Sequence, residues 1–185
     1  MKKPPHRPWQ VLASEYLARR PWFTVRRERV RLPSGVEVPE WYVFEFPDWV
    51  NVIARTEEGR YVLVSQYRHA RGTTCYELVA GCCEAGETPL ESARRELLEE
   101  TGYGGGRWRP FMVTAPNPTN HTNRSHTFLA EGVRRLAPQQ AEETEDIDVH
   151  LLTEEEVREL LEADAVEQCL HAAPLWKYFA TREGR

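Results

Sequence analysis

Excess basic charge, zinc-spaced cysteine and long apolar runs are all missing from this sequence, and each absence removes a class of function. Across 185 residues the acidic side chains outnumber lysine and arginine, giving a net charge of -5. A general nucleic-acid binder needs a basic surface for its phosphate contacts, so no nucleic acid is expected as a partner. A small phosphorylated ligand stays open, because a bound cation reverses the local field. No apolar run reaches the roughly 20 residues that cross a bilayer, so no membrane association is expected. The first eight residues, MKKPPHRP, are basic and proline-rich, lack the apolar segment of a signal peptide, and read as a mobile arm. The four cysteines are Cys75, Cys82, Cys83 and Cys169, and the adjacency of Cys82 and Cys83 fits no zinc pattern. A chain of this length builds a core without disulfides, so they read as reduced thiols of a cytoplasmic protein.

What is present suits one soluble globular domain with a small extension. Trp9–Arg20 is ambiguous between helix and strand. From Pro21 to Pro47 the pattern is mainly β, with an apolar phase shift between Val25 and Val30 that predicts a bulge, and a turn at Pro33-Ser34-Gly35. Val36–Phe46 is apolar over most of both faces, so cover on both faces, one of them by a second copy, is expected. Trp49–Ala54 and Tyr61–Tyr67 form a hairpin, and Tyr76–Ala80 is a short strand. Arg107–Thr114 and Ser125–Glu131 follow as strands around a Pro/Asn-rich loop, and Ile147, Val149 and Leu151 alternate as a late strand. Thr153 and Glu156 open a helix to about Ala163, and a helical pattern from Val166 to Tyr178 should be kinked or divided by Pro174. The order predicts an α/β (α+β) layered domain with a mixed sheet.

The stretch Gly81–Tyr103, GCCEAGETPLESARRELLEETGY, carries the chemistry. A loop from Gly81 to Gly86 leads to a helix with Thr88 as N-cap, Pro89 in the first turn, Glu91 completing a capping box and Gly102 at the C-cap. Leu90, Ala93, Leu97 and Thr101 form one buried stripe. At about 100° per residue, Glu96 and Glu100 lie roughly 40° apart and Glu99 about 60° beyond Glu96. Glu100 borders the stripe and Glu99 lies furthest from it. Like charges four apart cost roughly a few tenths of a kcal/mol, and the helix dipole disfavours anions near the C-terminus. A hard divalent cation, Mg²⁺ or Mn²⁺, compensates both, and the Ala80 carbonyl can lie close to it. Arg95 can pair with a neighbouring carboxylate. A glutamate pair alone is more often a solvated face. The full spacing arises by chance on the order of once in ten million at average residue usage.

This spacing resembles the Nudix signature, Gly-x5-Glu-x7-Arg-Glu-U-x-Glu-Glu-x-Gly-U with U bulky and apolar. Gly81, Glu87, Arg95, Glu96, Leu97, Glu99, Glu100 and Gly102 match, with the aromatic Tyr103 in the last position. The resemblance implies an α/β/α sandwich that hydrolyses nucleoside diphosphates linked to another group, using Mg²⁺ or Mn²⁺. It implies Glu96 and Glu100 as metal ligands with the Ala80 carbonyl, Glu99 as a ligand or water-orienting group, and Glu87 and Arg95 supporting the loop and helix. A cation then neutralises the pyrophosphate, and a carboxylate takes a proton from the attacking water.

Outside this stretch, YVLVSQYRHARG followed by YELVAG resembles the ADP-ribose pyrophosphatase and nucleoside diphosphate sugar hydrolase branch, with Val79 where that branch has proline. Pro118 stands about fifteen residues past the signature, as it does there. The resemblance divides the chain into an N-terminal antiparallel β extension, residues 1–46, and a Nudix hydrolase domain, residues 47–185. It implies Arg68 and Glu77 as substrate-site residues and a homodimer joined through the N-terminal strands. It makes Trp22, Trp41 and Tyr42 candidates for stacking on a nucleobase, though each reads first as a core aromatic. The general base of this branch often precedes the last strand, where Glu145 is the best match and Glu143 the runner-up. His121 and His126 either contact the substrate or hydrogen-bond within a long loop. ADP-ribose leads as substrate, and another nucleotide sugar such as GDP-mannose stays open. The negative charge weighs against a hydrolase of capped RNA, and the wider similarity weighs against that and against a hydrolase of nucleoside triphosphates. The complete carboxylate set weighs against a nucleotide-sensing module without turnover.

Overall fold

The computed structural model describes residues 5–140 and 144–183, which form two compact units. The first four residues of the expected arm lie outside the described residues. The smaller unit holds the chain up to Phe46 together with Ala115–Asn123. It is an antiparallel sheet in the order β1 (Gln10–Arg20), β2 (Phe23–Arg31), β3 (Glu37–Glu45). The ambiguous segment is therefore strand, because a ladder from Gln10 opposite Arg31 to Arg20 opposite Phe23 pairs one side of its backbone. The phase shift is a register shift between Glu28 and Val30, which puts Val25 and Val30, both buried, to common use. The arginines of β2 pair across the sheet, Arg26 with Glu45, Arg27 with Glu15 and Glu40, and Arg31 with Glu37. β3 is half-buried or exposed along its length, so the described residues do not supply the cover expected on both faces.

The larger unit is a seven-stranded mixed sheet. Its strands are β4 (Trp49–Thr56), β5 (Tyr61–Arg68), β6 (Thr73–Cys82), β7 (Tyr103–Gly104), β8 (Arg107–Thr114), β9 (Ser125–Arg135) and β10 (Ile147–Leu152), in the order β10-β5-β6-β4-β9-β7 with β8 on β9. β4 and β9 run parallel and the other pairs antiparallel. Helix α1 (Pro89–Thr101) covers one face, and α2 (Glu154–Glu162) and α3 (Cys169–Glu183) belong to the core of the other. Alternate residues of the central strands serve the two cores: Val50, Val52, Val62, Val64 and Val79 meet Ala93 and Leu97 of α1. Ile53, Leu63, Leu78 and Leu129 meet Val157, Leu161, Leu175 and Phe179. These strands are mostly apolar because both faces are covered, with Asn51, Ser65 and Glu77 as buried polar exceptions.

Three expectations are corrected. The strand before the signature runs on through Gly81 and Cys82, because both pair with β4 opposite Val50 and Trp49, so the loop begins at Cys83. The strand after the Pro/Asn-rich loop continues to Arg135, where it pairs with Tyr103. The last helix starts at Cys169 rather than Val166 and runs through Pro174 without division. Proline has no N–H for the carbonyl four residues back, that of Leu170. The buried Asn51 side chain supplies the donor instead, 3.1 Å from that oxygen.

Candidate active site

The signature helix forms as its ends dictate. Thr88 accepts from the Glu91 N–H, the Glu91 carboxylate accepts from the Thr88 N–H, and Gly102 closes the helix in the left-handed region at φ 75°. Ala93, Leu97 and Thr101 are buried, with Leu90 partly so. The order of exposure of the acidic groups is the one the helical wheel requires. Glu100 is buried, Glu96 nearly so, and the Glu99 side chain is 43% exposed.

Arg95 ties the loop to the helix. Its Nε donates to Glu87 (3.0 Å), Nη1 to Glu96 and Glu99 (3.0 Å each), and Nη2 to the Cys82 carbonyl (3.2 Å). Glu87 is held down at about 2 by Arg95 and then by Ser92. Gly81 leaves room for a close approach: a Cβ there would overlap the Glu96 carboxylate, which lies against β6 as it stands. Burial pushes Glu96 up to about 7, opposed by Arg95. Burial pushes Glu100 up to about 9, reinforced by the Glu96 and Glu145 carboxylates. Glu100 accepts a backbone hydrogen bond from Ala80, yet its buried Oε2 has no protein partner.

These observations test the residues for a divalent cation. All donors are hard oxygens, two carboxylates are costly to ionise as they stand, and one carboxylate oxygen is orphaned in the interior. Among the described residues no three acidic, histidine or cysteine side chains converge on a single point, because Glu96 and Glu99 are turned onto Arg95. The chemistry of the set fits a hard divalent cation, and the Arg95 contacts are what a cation would have to exchange for.

Beside Glu77, Ala80 and Gly81 lies a cavity of about 520 Å³. Arg68 and Glu77 are brought together there: Arg68 Nε donates to Glu77 at 2.7 Å and its Nη2 to the other oxygen, while Glu77 is 1% exposed. The hydrogen bond to Glu77 raises Arg68 further above its ordinary value. Two lining residues, Asn51 and His171, were not anticipated from sequence. Pro174 held the signal for Asn51, since an internal helical proline demands a substitute donor; nothing local marks His171.

The remaining candidates divide. Glu145 stands two residues before β10 and its charge bears on both Glu96 and Glu100; Glu143 lies outside the described residues. Trp41 packs edge-on against Trp9 in the smaller unit, with centroids 5.0 Å apart, while Trp22 is 74% exposed and Tyr42 is exposed. The two histidines separate. His121 packs on Phe44 and Phe46 in the smaller unit, and His126 bonds Asp48 at 2.9 Å in the larger. Asp48 also accepts from the Arg124 N–H, and these bonds anchor the end of the loop.

A two-sided α/β/α sandwich whose capped helix gathers three glutamates beside a strand-end glycine is the form of a Nudix hydrolase. The NUDIX domain model matches residues 45–171, over half of the chain, and the chain belongs to that family. The model of the nucleoside diphosphate sugar hydrolase N-terminal domain matches residues 9–44. The chain is 34% identical over 140 residues to an ADP-ribose pyrophosphatase of Mycobacterium tuberculosis, covering 74% of this chain and 66% of that enzyme. It is 34% identical over 140 residues to an ADP-ribose pyrophosphatase of Bacillus subtilis, covering 75% of each. A solved structure described as an ADP compounds hydrolase shares the fold over both full lengths, with a TM-score of 0.77 at 20% identity. No helix among the described residues is long and apolar enough to cross a membrane.

Proposed function

We propose that this chain hydrolyses the pyrophosphate bond of a nucleoside diphosphate sugar, with ADP-ribose, cleaved to AMP and ribose 5-phosphate, as the leading substrate. The observation that carries the reading is the orphaned, buried Glu100 oxygen beside Glu96, at the end of the strand that also bears Glu77. The names of the pyrophosphatase relatives support the substrate class.

Glu96, Glu100 and the Ala80 carbonyl would hold Mg²⁺ or Mn²⁺, with the exposed Glu99 able to turn toward it. The cation supplies charge neutralisation at the pyrophosphate and a more acidic water. Glu145 takes the proton from the attacking water, its charge already acting on both buried ligands. Arg95 is a positioning residue: it orients Glu96 and Glu99 and holds the loop through Glu87 and the Cys82 carbonyl. Arg68 binds phosphate through Nη1, which has no protein partner among the described residues, while Glu77 fixes the other edge of the guanidinium. The proposal extends to a cytoplasmic homodimer formed through the N-terminal sheet, with Trp41 stacking on the base; the half-buried and exposed aromatics of that sheet support it.

The test is a nucleotide-sugar panel incubated in heavy-oxygen water with Mg²⁺, with mass analysis of the labelled phosphorus. Glu99→Gln and Glu100→Gln should each lose several orders of magnitude in turnover while remaining folded. Turnover at the wild-type rate in both variants refutes the assignment, and tight ADP-ribose binding without product points to a sensing role instead.

A further inference from the structure

The proposed reaction uses Arg68, Glu77 and Ala80 of this cavity and gives no role to Asn51 and His171, which we term its floor. At about 520 Å³ the cavity falls within the range of small-molecule sites. Its two guanidinium groups are both matched by carboxylates, Arg68 by Glu77 and Arg71 by Glu167 at 3.0 Å. Asn51 and His171 are each only 2% exposed.

The hydrogen bonds at these two residues fix what each offers. The Leu78 N–H donates to His171 Nδ1 at 2.8 Å. A neutral imidazole that accepts at Nδ1 carries its proton on Nε2. Burial keeps the ring neutral by holding its pKa down at about 4. Asn51 gives its amide protons to Ser125 Oγ at 2.8 Å and to the Leu170 carbonyl at 3.1 Å. A carbonyl only accepts, so the amide orientation is settled and Oδ1 is left over as an acceptor. Neither His171 Nε2 nor Asn51 Oδ1 has a protein partner among the described residues, and neither is sealed from solvent; both residues line the cavity. The floor therefore presents one rigid donor and one rigid acceptor with no net charge. A phosphate gains little there, whereas a hydroxyl both accepts and donates.

We infer that the floor of this cavity binds a sugar ring of the substrate, with His171 Nε2–H donating to its hydroxyls and Asn51 Oδ1 accepting from them, and that these two side chains set sugar selectivity. The inference rests on the nucleoside diphosphate sugar reading above. The nucleoside ribose and the terminal sugar share this chemistry, and deoxy analogues altered in one ring or the other distinguish them.

His171→Asn is the informative variant, since its amide oxygen can still accept from the Leu78 N–H while the Nε2 donor is lost. With ADP-ribose, kcat/KM should fall about tenfold to a hundredfold, mostly through KM. In the wild type, one deoxy analogue should lose a similar factor, and in the variant that analogue should lose no more. Equal penalties for every analogue in both proteins overturn the inference and leave the hydrolase reading standing. Calorimetric binding of ribose 5-phosphate and of AMP, without added metal, separates the two ideas further. Binding lost in the variant supports the sugar site even if turnover is absent, and binding unchanged in the variant, or absent from the wild type, overturns it. A variant-free check is the His171 Nε2–H resonance of nitrogen-labelled protein, which must shift with the sugar ligand; an unmoved signal also overturns the inference.

Discussion

Replacing Asn51 by alanine removes the donor that Pro174 cannot supply. Two hydrogen bonds disappear, to Ser125 Oγ and to the Leu170 carbonyl, and both partners lie in the interior or at its edge. A buried carbonyl left without a donor costs about 1–3 kcal/mol and the lost hydroxyl contact about 1 kcal/mol, so the variant should be about 2–4 kcal/mol less stable. Pro174→Ala restores a backbone N–H four residues beyond Leu170. In the Asn51→Ala background it should therefore recover about 1–2 kcal/mol, more than it contributes to the wild type, where Asn51 already serves that carbonyl. Urea unfolding of the wild type, both single variants and the double variant, with a common slope, gives the coupling directly. A coupling below about 0.5 kcal/mol means the two sites act independently, and the account of the unbroken helix is then wrong.

Two further outcomes follow from buried titratable groups. His171 stays neutral when folded and is protonated first when unfolded, so its contribution is complete above the ordinary pKa of 6.5 and is lost as pH falls from 6.5 toward about 4. At pH 5 the wild type should have lost about 2 kcal/mol from this source, and His171→Asn, which has no such group, should show a flatter acid limb; parallel limbs contradict it. Glu100 behaves oppositely. Its carboxyl is raised from 4.5 to about 9, so metal-free stability is lost as pH rises through that window. In chelator at pH 8, Glu100→Gln should melt above the wild type, and added Mg²⁺ should raise only the wild type; a variant that melts lower in chelator rejects the reasoning.

The parts legible in the sequence were those governed by neighbours within a few residues. The caps Thr88, Glu91 and Gly102, the α1 stripe and the graded exposure of Glu100, Glu96 and Glu99 all follow from helical periodicity and end chemistry. Trp9–Arg20 stayed ambiguous because its strand state depends on pairing with β2, and Gly81 counted as loop because its pairing with Val50 comes from β4. Asn51 and His171 were invisible for the same reason on a larger scale: their partners lie 119 and 93 residues away. A division at Pro174 was expected because local rules register the missing N–H and not a remote amide that replaces it.

Arg95 has a consequence for the order of events in the cell. Its guanidinium binds Glu87, Glu96 and Glu99 together, so the signature helix carries its own resident counterion. Mutual repulsion among these carboxylates does not have to be relieved from outside before the helix can dock, unlike small metal-dependent domains that remain unfolded without their ion. The chain can complete its fold first and take up a divalent cation afterwards. On the proposed ligand set, uptake would be an exchange, in which an arriving ion competes with a tethered one, and metal affinity would be adjustable through the strength of the Arg95 contacts without altering a single ligand.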